Sequence, residues 1–234
     1  MHTDYSDTIS RHEKTINVHE LYKEYDQYKK YLPENTKSQI LEIGCGEGYY
    51  LRYLINFNYA NVVGIDNDPG AVKRCAEKEI NNVFCEDACE YLIKITDNYF
   101  DAIIMNNVIE HFNKAELVMM LNLIHTKLKS GGVLIAKTGN IENPFNLGLF
   151  LRDFTHQIGF TKNSLRQVML QCGFIKKNVL VLDIKYCSQS KIKTVVKQCT
   201  FLLATTAIKI FAKCMSMRID SLSKLIVCIA IKEK

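Results

Sequence analysis

The nine cysteines of this 234-residue chain include no CxxC pair. A tetrahedral zinc site draws its ligands from short paired spacings in local loops, so no zinc site is expected and no metal group is assigned. The N-terminus lacks the basic-then-apolar pattern of a secretory leader. With scattered, unpatterned thiols, this is the signature of a reduced, cytoplasmic protein. The longest charge-free stretch considered, CTFLLATTAI (199–208), falls far short of the ~20 residues that span a bilayer. There is no internal repeat and no low-complexity tract. At 47% hydrophobic and 24% charged residues, the composition is that of one globular domain with appendages.

Charge is unevenly spread. Residues 1–184 carry 20 Lys and Arg against 23 Asp and Glu, net −3, whereas residues 185–234 carry 10 against 2, net +8. The basic character therefore belongs to the tail.

Apolar runs alternate with amphipathic segments along most of the chain. QILEIG (39–44), NVVGID (61–66), NVFCED (82–87), FDAIIMNN (100–107) and GVLIAKTG (132–139) read as strands. Segments 49–57, 70–80, 89–95 and 114–129 between them have helical spacing. Such an alternation predicts a mostly parallel sheet covered on both faces. A helix over 19–31 precedes it. After Gly139 the rhythm breaks in NIENPFNLGLFLRDFTHQIGF, a long connection with no clean period, of the kind that usually carries function. A capped helix over 161–173 stops at Gly173, with strands at 174–187 and 224–234 and a basic, apolar helix or helix pair at 190–218 between them.

Glu42 to Gly48, EIGCGEG, follows a strand and opens a helix. Glycines there allow a tight turn and let a ligand approach the backbone N–H groups of the helix start. The spacing is GxGxG, not the GxGxxG of dinucleotide sites. Asp66 ends the second strand, where a carboxylate can take both hydroxyls of a ribose, and Asp87 ends the third, beside an adenine edge. Either aspartate alone reads better as a helix cap. Together, at successive strand ends, they point to a nucleoside ligand.

The series ILEIGCGEG, VVGIDNDP, VFCEDACEYL, FDAIIMNNVIEHF and LKSGGVLIAKTGN resembles a class I S-adenosylmethionine-dependent methyltransferase over about residues 36–184 and the final strand. The resemblance implies an α/β, Rossmann-like, mostly parallel seven-stranded sheet with an antiparallel last strand. It divides the chain into an N-terminal helical lid (1–35), a core (36–188), a helical insertion (189–222) and a closing strand (223–234). It implies S-adenosyl-L-methionine as cofactor, with Glu42 ordering the loop Gly44, Cys45, Gly46 and Gly48. Asp66 with Asn67 would hold the ribose, Asp87 with Ala88 the adenine, and Asn106 and Asn107 would lie beside the cofactor. The stretch DFTHQIGFTKNSLRQVMLQCGF resembles a narrower group, bacterial methyltransferases of surface-polysaccharide and O-antigen biosynthesis. This implies a sugar or sugar-phosphate hydroxyl as acceptor, in capsule or lipopolysaccharide synthesis.

Methyl transfer to a hydroxyl needs a positioned oxygen and a base for its proton. Imidazole suits that task near neutral pH, so His111 and His156 are the candidate bases. Arg152, Asp153, Thr155 and Tyr22 are candidate acceptor contacts, with Tyr5 and Tyr25 weaker ones from the lid. Each histidine also has a plain reading, as a residue that pins its loop. Other acceptors remain open: a quinone-like lipid, a phosphorylated small molecule, an amine, or none at all in a scaffold that has kept the cofactor fold. A nucleic-acid substrate is not expected, because the domain is net acidic and lacks an Asn/Asp-Pro-Pro-Tyr element. The tail helix is expected to pack onto the sheet or against a second copy through 190–218. Its other reading is a peripheral contact with the inner membrane.

Overall fold

The computed structural model describes residues 17–186 and 190–233. A helix, α1 (Val18–Asp26), leads into alternating strands and helices: β1 (Gln39–Ile43), α2 (Tyr49–Asn56), β2 (Asn61–Asp66), α3 (Pro69–Glu77), β3 (Val83–Cys85), α4 (Ala88–Lys94), β4 (Phe100–Asn106), α5 (Lys114–Lys127) and β5 (Leu128–Gly139). A short helix, α6 (Pro144–Phe150), is followed by α7 (Lys162–Gln171), β6 (Val179–Ile184), α8 (Lys191–Cys214) and β7 (Leu225–Ile231).

The strands form one seven-stranded sheet in the order β3-β2-β1-β4-β5-β7-β6. β1 to β5 are parallel, and β7 runs antiparallel to both β5 and β6. This is the architecture that the alternating pattern implied. Buried side chains such as Ile40, Leu41, Ile103, Ile104, Leu134 and Ile135 fill both faces, which is why the central strands read as unbroken apolar runs.

Local chemistry sets the helix starts. Asn113 and Glu116 form a capping box at α5, and Thr161 with Ser164 does the same at α7. Asp68 caps α3, with Pro69 in its first turn. Several boundaries differ from the sequence expectation: the first helix stops at Asp26 instead of 31, and the strand expected at 174–187 is Val179–Ile184; two further differences have a local cause. Strand β5 begins at Leu128, earlier than 132, because a register irregularity between Phe100 and Ala102 lets the Gly131–Gly132 turn be absorbed into the strand. Within the supposedly irregular 140–160 connection, Asn143 caps α6 with Pro144 behind it, a start signal too short to show a period.

The N-terminal helix α1 is fixed over the strand ends by tyrosines. Tyr25 meets Tyr50 edge-on at 4.6 Å, Tyr28 donates to Asn106 at 3.1 Å, and the buried Lys137 pairs with Glu24 at 2.5 Å. Tyr5, His2 and His12 of the expected lid lie outside the described residues.

Helix α8 departs from its first expectation. It does not pack onto the sheet: Ile192, Leu202 and Leu203 are 76%, 66% and 72% exposed, and of its described side chains only Ala212 is buried.

Candidate active site

The loop after β1 is built around three left-handed glycines, Gly44, Gly46 and Gly48, with φ of +64°, +51° and +73°. Its backbone is held by β2: the Gly44 and Cys45 N–H groups donate to the Ile65 carbonyl, and the Gly46 N–H donates to Asp66 Oδ2 at 2.8 Å. The other Asp66 oxygen takes the Asp68 N–H at 2.9 Å. Asp66, not Glu42, therefore orders this loop. Glu42 is paired in register with Gly64 and Ile104, which sends its side chain into the interior, where Oε1 accepts from Asn106 at 3.1 Å.

The glycines have different tasks. A Cβ on Gly44 would stand 2.5 Å from Val108 Cγ2, whereas one on Gly46 would meet no atom within 4 Å and would project into open space. Gly44→Ala is therefore expected to destabilise the fold by roughly 2 kcal/mol, from the left-handed backbone and the clash together. A urea titration with an unchanged midpoint would contradict this.

The remaining sequence-nominated cofactor residues line the same edge, with qualifications. Cys45 is buried and turns its thiol toward Gly64 and Cys75, leaving only its backbone for a ligand. Asp87 Oδ1 caps α4 through the Cys89 and Glu90 N–H groups, so the cap reading holds for that oxygen. Ala88 follows it half-buried, and Asn67 and Asn107 are exposed at the strand ends, Asn107 with φ of +54°. Asn106 bridges Glu42 and Tyr28 and is bound within the protein.

The edge fits S-adenosylmethionine on three counts. The space above Gly46 is open, Asp66 keeps acceptor sites beyond the two N–H groups it binds, and Glu42 Oε2 is buried without a hydrogen-bond partner. Desolvation raises the Glu42 carboxyl to about 8, against smaller opposing effects of Asn106 and Lys137. Asp66→Ala frees Gly46 and removes the expected ribose acceptor. It should weaken cofactor binding about tenfold to a hundredfold by calorimetric titration, the range for one or two charge-assisted hydrogen bonds.

Beside this edge, at the ends of β4 and β5, is a cavity of about 200 Å³ lined by Asn107, Glu110, Thr138, Phe150, His156 and Ile158 among others. A second hollow, of about 240 Å³, lies at the opposite ends of β2 and β3, between Leu51 and Asn82.

The cavity wall carries a small network. Asp153 Oδ1 accepts from the Thr155 N–H at 2.9 Å and its hydroxyl at 2.6 Å. With that hydrogen committed, Thr155 Oγ1 acts as acceptor toward His111 Nδ1, 2.8 Å away. The network thereby assigns the His111 proton to Nδ1 and its lone pair to Nε2. His156 Nδ1 lies 2.8 Å from the Phe150 carbonyl, which can only accept, so His156 too keeps its lone pair on Nε2. The rings are 4.7 Å apart, and Asp153 Oδ2 is 3.9 Å from His156 Nε2. Burial, then the neighbouring His156, lowers the His111 pKa, opposed by Asp153 and the Asn107 backbone, so this imidazole is neutral at pH 7.

The ligand atoms of His111, Asp153 and His156 fall within 4.8 Å of one another, a spacing that would also admit a metal ion where the sequence predicted none. The hydrogen bonds that the two histidines donate to Thr155 and Phe150, and the one Asp153 accepts from Thr155, hold the three groups in place.

Two nominated acceptor residues are not in this group. Arg152 is exposed on the far side of its turn, and Tyr22 packs edge-on against Tyr53 at 5.3 Å, in the tyrosine cluster. One residue was missed. Glu110 lines the cavity at 5% exposure, with Oε2 lacking a partner and a carboxyl raised chiefly by burial. Its place beside His111 in the sequence was the available signal.

Residues 41–136 match the family described as a methyltransferase domain. Among curated proteins, a tRNA U34 carboxymethyltransferase of Campylobacter jejuni subsp. doylei is 28% identical over 127 residues, 52% of this chain and 42% of the relative. The match thus spans less than half the length of that relative. Among solved structures, an S-adenosylmethionine-dependent methyltransferase from Archaeoglobus fulgidus superposes with a TM-score of 0.70 at 22% identity, covering 92% of this chain and 95% of the other. A phosphoethanolamine N-methyltransferase of Haemonchus contortus, complexed with S-adenosylhomocysteine, gives a TM-score of 0.63 at 17% identity, over 99% of this chain and 61% of the other. Residues 41–136 thus resemble a methyltransferase domain, and the fold is the one shared by S-adenosylmethionine-dependent methyltransferases.

Proposed function

We propose that this S-adenosylmethionine-dependent methyltransferase methylates a hydroxyl of a sugar-bearing acceptor, with His156 as the base. When bound, the cofactor supplies an electrophilic methyl group. The protein's part is to seat the acceptor oxygen in the cavity beside the glycine-loop edge and to take its proton. One observation carries the reading: His156 stands in the cavity wall with Nδ1 committed to the Phe150 carbonyl, so that Nε2 is the available proton acceptor. Asp153, 3.9 Å from that nitrogen, would stabilise the imidazolium that forms. His111, held by Thr155, packs against the ring and orients it. Thr138 and the partnerless Glu110 oxygen offer hydrogen-bonding places for further acceptor hydroxyls.

A second reading follows the curated relatives, transfer to tRNA, and is favoured by 28% identity over 127 residues. Set against it is the net −3 charge of residues 1–184, since tracking a phosphate backbone needs cationic surface. The test is transfer of label from S-adenosyl-[methyl-³H]methionine to nucleotide-sugars, lipid-extracted glycans and bulk tRNA, assayed in parallel. Label in a glycan fraction is the expected result. Label in tRNA alone would replace the proposal with the second reading, and label in a quinone or amine control would move the acceptor class.

A further inference from the structure

Helix α8 is 24 residues long, about 36 Å at 1.5 Å per residue, and is apolar enough over Ile192–Cys214 to cross a membrane. It is neither a buried core helix nor near the N-terminus. Yet the topology forbids it from spanning. The chain leaves the sheet after Ile184 and re-enters at Leu225, and these two residues are register partners. The helix is also tied at two places, to the connection that precedes it and near its C-terminal end. Gln198 donates to the Tyr186 carbonyl at 3.1 Å and Lys197 sits 4.1 Å over the Tyr186 ring. At the other end, Ala212 is buried, and the Asp220 and Ser221 N–H groups donate to Glu142. The helix therefore lies along the domain.

Its two faces are the reverse of those of a surface helix on a soluble protein. Thr194, Thr205, Ile208 and Ala212, the least exposed positions, share one line at helical spacing and face the domain. The apolar stripe Ile192, Val195, Val196, Leu202, Leu203 and Ile210 points away. Lys193 and Lys197 flank that stripe on one side, Lys209 and Lys213 on the other. Residues 190–219 hold six basic side chains and no acidic one.

We propose that α8 is an interfacial helix that docks the enzyme onto an anionic lipid bilayer, lying in the membrane plane with its outward stripe among the acyl chains. Lys193 and Lys213, on opposite flanks, are placed to reach up to lipid phosphates while their stems cover apolar surface. Charge decides against a second copy of this chain as the occupant, because two such helices would set lysines against lysines with no acidic partner. Helix α6 and its C-cap carry exposed Phe145, Leu147 and Leu151, and the loop before α6 is bonded to the segment that follows α8. Since α6 and Lys224 also line the acceptor cavity, docking brings the cavity to the membrane. This inference stands on α8 and does not depend on the acceptor proposed above.

The test is flotation of the full chain with vesicles of phosphatidylcholine alone and of phosphatidylcholine with phosphatidylglycerol. The wild type should float with the anionic vesicles, with less bound as salt is raised. Leu202→Glu with Leu203→Glu should cut the bound fraction about tenfold or more, with thermal unfolding and cofactor affinity unchanged because both side chains face outward. Lys193→Glu with Lys213→Glu should erase the preference for anionic lipid. Failure of the wild type to float with either vesicle overturns the proposal. So does a dimer that the leucine substitutions split, without any vesicle binding.

Discussion

Replacing His156 with alanine is expected to lower turnover by about 10² to 10⁴, the span associated with loss of a positioned general base. Affinity for S-adenosylmethionine, measured by calorimetry, should stay nearly unchanged. The reason is spatial: His156 lines the acceptor cavity and bonds only to the Phe150 carbonyl and the Asp153 neighbourhood, not to the glycine loop. His111→Ala should cost less, because its ring acts through His156. The two losses should not add in the double variant, since residues working as one unit are grossly non-additive. If cofactor affinity collapses along with turnover in the His156 variant, the histidine is a pin for the 150–158 loop and the base is elsewhere, with Glu110 next in line.

The second large effect is on stability, at Glu42. This carboxyl is 2% exposed and its pKa is pushed up to about 8, mostly by desolvation, so that it is protonated in the folded protein at pH 7 and ionised in the unfolded chain. Its folded pKa lies above its unfolded value of 4.5. Between those limits the native state holds the extra proton, and stability falls as pH rises, by about 1.4 kcal/mol per unit. The fall is complete above pH 8 and totals on the order of 5 kcal/mol. Glu42→Gln keeps an acceptor for Asn106 but cannot ionise. Its urea-unfolding free energy should therefore exceed that of the wild type increasingly from pH 5 to 8, and the two should converge near pH 4. Parallel pH profiles would show that Glu42 ionises freely in the fold.

Glu42 also marks the limit of what the sequence discloses. The sheet was legible because its central strands are buried on both faces, so residues such as Ile103 and Leu134 print as unbroken apolar runs between glycine and aspartate signals. The role of Glu42 was not, because which way a strand residue points depends on register with two neighbouring strands that the sequence does not pair. Asp66 was found for its place at a strand end, while its hold on Gly46 needed the loop's three-dimensional path. His111 and His156 were both legible as residues, but their tautomers followed only once Thr155 and Phe150 were seen as partners. Helix α8 shows the same limit from another side. Its composition revealed a basic, apolar helix, and composition carries no information about which side of the helix faces the domain.

The strand order β5-β7-β6 has a consequence for how the chain reaches this state. Strand β5 is finished by residue 139, but its neighbour β7 does not begin until residue 225, with α6, α7, β6 and α8 between them. Until β7 is available, one edge of β5 has no partner and β6 has nothing to pair with, since both bond to β7. Closing so distant a pairing is slow, and open strand edges invite association in the meantime. Newly made chains should therefore pass through a half-finished sheet with an unguarded edge. Segments 1–139 alone would be the part most prone to aggregate during synthesis.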